Sequence, residues 1–191
     1  MIRKFQQGIE RAIDQFHPAD DIEIYTYGLR LLLIKAGHIL TILVLGYLAG
    51  ELVNTLIFVG AYKCIREYSG GFHCKSSLKC YACTILVVLL AIGMFKNYIV
   101  YEPVVNTMLI IAAFVIWFLS PSENPNNHLE QYEIQLYRKK ARGILILLGV
   151  IFGVMYYAGC NYREGIGTAL IIQAVMLVMN IRKRQIGRAH V

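Results

Sequence analysis

Long apolar blocks alternate along the chain with short polar connections. Six blocks stand out, at residues 29–49, 52–65, 80–95, 104–119, 143–158 and 166–181. Most fall a little short of the roughly 20 residues that cross a bilayer comfortably, so polar flanks must complete the helices. The pattern predicts an all-α fold, a polytopic membrane helical bundle of about six helices. The second block is the shortest and carries Asn54 and Lys63. A span and an interfacial or re-entrant segment are both open for it. Ahead of the blocks, Ile2, Phe5, Ile9, Ile13 and Phe16 recur at helical spacing, with Arg3, Lys4 and Arg11 on other faces. Residues 1–17 are therefore expected to form an amphipathic helix, lying on the membrane surface or packed on the protein's own core. Gly46 and Gly50, and Gly149 and Gly153, have the four-residue spacing that suits close helix packing. Trp117 with Tyr98, Tyr101, Tyr156, Tyr157 and Tyr162 reads as interfacial belts. Short connections make residues 1–185 a single membrane domain.

Composition supports this picture. Hydrophobic residues make up 57% of the 191, and the mean hydropathy is +0.53, above the apolar usage of about 45–50% typical of soluble domains. The first residues are too polar for the apolar core of a signal peptide. Net charge is +7, and the distribution of basic residues accounts for it. Four lie at or before Arg30, four at the end of block two and in the connection to block three (Lys63, Arg66, Lys75, Lys79), four between blocks four and five (Arg138, Lys139, Lys140, Arg142), and four in the tail (Arg182, Lys183, Arg184, Arg188). Lys96 and Arg163 alone occupy the alternate connections, and Lys35 lies inside block one. Six spans with both termini in the cytoplasm give that asymmetry under the positive-inside rule. The charge therefore reports topology, and no nucleic-acid partner is expected. Lys35 and His38, one turn apart in block one, are candidates for intramembrane chemistry or for snorkelling to the membrane edge. Four of the five cysteines (Cys64, Cys74, Cys80, Cys83) fall on the inferred cytoplasmic half, where a disulfide framework is not expected. Residues 186–191, Ile-Gly-Arg-Ala-His-Val, read as a translated sequencing adapter and are expected to be non-native.

The stretch that carries chemistry is Arg66-Glu67-Tyr68-Ser69-Gly70-Gly71-Phe72-His73-Cys74, followed after five residues by Cys80. A thiolate is a good nucleophile at neutral pH when a cation or a helix N-terminus stabilises it. Cys80 opens an apolar helix, Lys75 and Lys79 are close in sequence, and Ser76 or Ser77 can cap the helix. His73 supplies a base of suitable pKa. On one straight helix the two side chains would sit about 10 Å apart at 1.5 Å per residue, too far to share a proton. The helix must therefore break between them, and Gly70 and Gly71 permit a sharp turn there; pairing across a dimer is the other solution. Cys80 and Cys83 also form a C-x-x-C pair, which leaves a membrane thiol–disulfide oxidoreductase open as an alternative, and a small non-enzymatic transporter as another. Zinc is disfavoured because Cys83 falls a turn into the apolar helix, so neither a metal nor a cofactor is expected.

The pattern Arg66-x3-Gly70-Gly71-Phe72-His73-Cys74-x5-Cys80 resembles the signature of the AgrB family, the accessory gene regulator membrane peptidases of quorum sensing. The resemblance extends to the length, the apolar blocks and the Pro/Asn-rich loop ahead of the basic cluster. Cys74 stands where alanine is usual. The resemblance implies a cysteine endopeptidase of the bacterial cell membrane, with Cys80 as nucleophile and His73 as base on the cytoplasmic side. It implies an AgrD-like propeptide as substrate, cleaved through a thioester on Cys80 and cyclised to a thiolactone or lactone autoinducing peptide. It also implies a homodimer in the lipid bilayer. Within the catalytic segment 66–80, Arg66 is a candidate to clamp a carboxylate or orient the segment, or a plain topology charge. Glu67 is a candidate to orient His73, or a surface partner of Arg66. Gly70 and Gly71 are conformational. In the loop 120–142, Arg138, Lys139 and Lys140, with Arg142, are candidates to hold an acidic tail, or positive-inside anchors, or both.

Overall fold

A computed structural model describes residues 22–71, 77–98, 100–122 and 130–188. The expected helix at 1–17, His73 and Cys74 lie outside the described residues. Six helices follow in order: α1 (Ile22–Leu48), α2 (Leu52–Ser69), α3 (Ser77–Asn97), α4 (Glu102–Leu119), α5 (Gln131–Tyr157) and α6 (Arg163–Arg188). The chain divides into two compact units, residues 1–41 and 42–191, with the border inside α1. In the first unit, Lys35 is exposed and His38 half-buried on α1. Everything below concerns the second.

The helices match the six apolar blocks, and four of them, α3 to α6, are long and apolar enough to cross a membrane. The fold is the predicted all-α membrane bundle. Outer faces carry large exposed apolar side chains, among them Leu86, Leu90, Ile110, Phe114, Ile146 and Val150. Such faces are a liability in water and ordinary in lipid. α2 is not among the four, because Lys63, Arg66 and Glu67 crowd its second half. α5 begins at Gln131, well before its apolar block, so Arg138, Lys139, Lys140 and Arg142 stand on helix rather than in a loop. The reason is local: the Glu133 carboxylate accepts the Glu130 backbone N–H at 3.0 Å, half of a capping box.

α6 is the axis of the bundle. In its membrane window 78% of residues are buried, against 17–28% in the other three. It packs against α2, α3, α4 and α5. Gly165 makes the α2 contact possible, since a Cβ there would lie 2.7 Å from the Asn54 carbonyl oxygen. Gly46 likewise faces Thr55, whose Oγ1 would be 2.8 Å from an added Cβ, whereas Gly149 and Gly153 have nothing within 4 Å. The glycine spacing therefore marks a close approach at Gly46 and none at Gly149 or Gly153.

The two ends of the bundle are built differently. At one end Arg163 pairs with Glu102 at 3.0 Å and lies over the rings of Tyr98 and Tyr156. This cluster joins the α3–α4 turn, α4, α5 and α6. Burial pushes the Tyr98 phenol up to about 12 despite the Arg163 guanidinium, so its hydroxyl stays protonated and donates to Asn106 Oδ1 at 3.2 Å. The other end carries most of the basic residues, with Cys80.

A half-buried cysteine at a pinned helix break

α2 stops at Ser69 because Gly70 leaves the helix with φ +74° and ψ −165°, a region that L side chains essentially avoid. There the backbone meets residues 120–122, which follow α4 across a cis Ser120–Pro121 peptide. Gly70 and Ser122 form a parallel bridge, and the Ser122 N–H donates to the Ser69 carbonyl at 2.9 Å. A Cβ on Gly70 would collide with the Ser122 carbonyl. α3 starts at Ser77. The two helices are thus separate, as the spacing of His73 and Cys80 requires if the pair is to act in one chain.

α6 ties this junction down. Gln173, fully buried, donates its Nε2 to Ser69 Oγ at 2.6 Å and to the Gly70 carbonyl at 2.7 Å. Asn180, two turns further on the same face, donates to Ser122 Oγ at 2.8 Å. Gln173 Oε1 is buried and has no hydrogen-bond partner among the described residues. An acceptor left that way costs about 1–3 kcal/mol. None of Ser69, Ser122, Gln173 and Asn180 was singled out by sequence reasoning. The available signal was two carboxamides inside the last apolar block, where polar side chains are expensive.

Cys80 lies in the first turn of α3 and is half-buried. It lines a mostly apolar cavity of about 280 Å³ together with Phe58, Tyr62 and Arg66 of α2, Cys83 of α3 and Met176 of α6. Arg66 donates to the Tyr62 hydroxyl, and its Cζ lies 5.4 Å from the centroid of that ring. A cation is therefore held on the wall shared with the thiol. Cys83 faces the same cavity, one turn on.

The other candidates sort by position. Glu67 is exposed on α2, as are Arg138 and Lys139 on α5. Lys140 is exposed but sits over Tyr68, Nζ to centroid 5.0 Å, and Tyr68 meets Tyr137 at 6.1 Å. These aromatic contacts dock the basic start of α5 on the end of α2, just before Gly70. Arg142 is engaged elsewhere. It covers the Trp117 ring at 4.7 Å and donates to the Trp117 carbonyl at 3.3 Å, one of the unpaired carbonyls that end α4. The structure brings Arg66, Gly70, Gly71 and Cys80 to one end of the bundle, with Lys140 docked beside it.

Comparison with known proteins gives the family. The family model described as Accessory gene regulator B matches residues 2–179. Accessory gene regulator protein B of Staphylococcus aureus strain MRSA252 is 21% identical over 151 residues, 79% of each chain. A putative AgrB-like protein of Listeria monocytogenes serotype 4a is 27% identical over 141 residues, 69% of this chain and 67% of its own length. One from Listeria innocua is 26% identical over the same length. No solved structure matches the chain. With a match to the family model over residues 2–179, almost the whole chain, the protein belongs to the accessory gene regulator B (AgrB) family.

Proposed function

We propose that the protein is a membrane cysteine endopeptidase and cyclase acting on an AgrD-like signal propeptide. The observation that carries the reading is Cys80, half-buried in the first turn of α3 on the wall of an apolar cavity beside the Arg66 guanidinium. His73 takes the thiol proton. Cys80 Sγ attacks the carbonyl at the end of the signal segment, and the C–N bond breaks. The acidic tail leaves as an amine carrying that proton. The signal segment remains as a thioester on Cys80. The substrate's internal thiol or hydroxyl then attacks this thioester, passing its proton through His73 to the departing Cys80 thiolate. The product is a thiolactone or lactone.

Two features support ring closure over hydrolysis. A tethered nucleophile acts at a high effective concentration, and an apolar cavity limits water around the acyl group. Amide-to-thioester conversion is uphill, so removal of the tail must draw the reaction forward. The basic Arg138, Lys139 and Lys140, on the start of α5 that docks on the end of α2, suit an acidic tail. The site is assigned to the cytoplasmic side of the membrane, and a homodimer is the expected assembly.

A second reading is favoured by one observation: Cys83 shares the cavity with Cys80, so thiol–disulfide exchange is open to the pair. Co-expression with a cognate propeptide decides between them. Cys80→Ala and His73→Ala are expected to abolish cleavage, and Cys83→Ala to retain it. A thioester adduct, released by hydroxylamine, should map to Cys80. Undiminished cleavage by Cys80→Ala would sink the peptidase reading. A Cys80–Cys83 disulfide whose loss on Cys83→Ala ends activity would install the other.

A further inference from the structure

Gln173 lies on the axial helix, contributes nothing to the cavity wall, and stands out as a buried amide in an apolar stretch. We infer that it is a positioning residue for the cleavage step, holding the exit of α2 so that the connection to Cys80 starts from a fixed point. The inference rests on the peptidase reading above.

Three observations carry it. First, Gln173 spends both protons of its amide on the last helical residue of α2 and on Gly70, at 2.6 and 2.7 Å. Flipping the amide would set Oε1 against the Gly70 carbonyl, so its orientation is determined by the junction it serves. Second, the arrangement carries a cost of its own. Oε1 is left buried without a partner among the described residues, and Ser69 Oγ already reaches the Gly70 carbonyl at 3.4 Å. An apolar side chain of the same volume would remove the orphan acceptor, but it would leave the Gly70 carbonyl with only that long contact. A local rule broken at a cost in stability is expected at functional positions. Third, the geometry links the junction to the thiol. Gln173 and Met176 are neighbours on one face of α6. Met176 lines the cavity with Cys80, and a Cβ on Gly71 would stand 3.7 Å from Gln173 Nε2 and 3.9 Å from Met176 Cβ. One face of one rigid helix therefore meets both the end of α2 and the wall beside the nucleophile. Only seven residues, 70–76, separate α2 from α3, so any drift of their origin is felt along the connection.

The test uses the full chain in lipid nanodiscs. The probe is a synthetic propeptide that wild type cleaves, with an amphipathic leader, an internal cysteine and an acidic tail. Gln173→Met keeps the volume and deletes the amide. Its kcat is expected to fall about 100-fold, the scale of a misplaced catalytic group, with KM within about twofold, measured well below the thermal midpoint of either protein. A role in packing alone would leave kcat intact. Ser69→Ala, which removes one of the two acceptors, is expected to lower kcat about tenfold and keeps the inference testable if the Met variant fails to fold. Wild-type kcat in either variant, or a loss that appears in KM, overturns the inference. Cys80→Ala runs in parallel. If it still cleaves, the peptidase reading falls and this inference with it. If it is inactive while Gln173→Met is fully active, this inference alone falls.

Discussion

At the scale of single residues, the site depends on a backbone conformation more than on a cluster of reactive groups. Gly70 combines φ +74° with direct contact to the Ser122 carbonyl. Only glycine satisfies both demands, which is why two adjacent glycines before a histidine carried meaning as a pattern. Gly70→Ala is expected to cost at least about 1–3 kcal/mol from the dihedral alone, with the steric clash added. The thermal midpoint in detergent should fall by several degrees, and propeptide cleavage should be lost even below that temperature. A variant with wild-type midpoint and activity would show that the bridge to Ser122 is dispensable. Arg66 is the other residue whose meaning changed. In the sequence it reads as a clamp for a carboxylate, a residue that orients the segment, or a topology charge. Folded, it is held against the Tyr62 ring and hydroxyl on the cavity wall. A partner one turn earlier on the same helix was there in the sequence, but nothing marked Tyr62 apart from the thirteen tyrosines of the chain.

At the scale of elements, glycines that look alike in sequence divide by what their missing side chains face. Gly165 allows α6 to approach the α2 backbone, while Gly149 on α5 has open space. Gly165→Ala must push two helices apart and is expected to destabilise by about 1–3 kcal/mol. Gly149→Ala should be neutral or stabilise by up to about 1 kcal/mol, through helix propensity alone. Thermal midpoints of the two variants in one detergent check the pair, and equal shifts would contradict the packing described. The apolar periodicity did predict that six helices exist, and roughly where. It gave no means to see which helix is central. Every block is apolar, and in a bilayer a lipid-facing leucine and a core-facing one read the same. What does distinguish α6 is its polar content: Gln173 and Asn180 are buried on a membrane helix, and both find partners inside the protein. The start of α5 was misjudged for a different reason. Charged residues at its beginning suggested a loop, but the Glu130–Glu133 pair opens a helix, and Tyr137, Lys140 and Arg142 find aromatic contacts along it.

At the scale of the whole molecule, the bundle is asymmetric in charge and in the way each end is tied. One end gathers Lys63, Arg66, Lys79, Arg138, Lys139 and Lys140 around the helix break. The other has Arg163, already paired with Glu102, and Lys96. On the proposed reading, the positive-inside rule would put the first end in the cytoplasm, where thiols stay reduced and the proposed propeptide would be at hand. Single-cysteine chains test this directly. With the native cysteines replaced, Lys139→Cys sits on the exposed start of α5 and Tyr162→Cys on the exposed turn between α5 and α6. A membrane-impermeant maleimide added to intact cells is expected to label position 162 and to spare 139 until the membrane is opened. The reverse pattern would put the thiol on the outer face. Disulfide exchange between Cys80 and Cys83 would then gain ground over peptide cleavage, because the outer face is oxidising and a cytoplasmic propeptide could not reach Cys80 there.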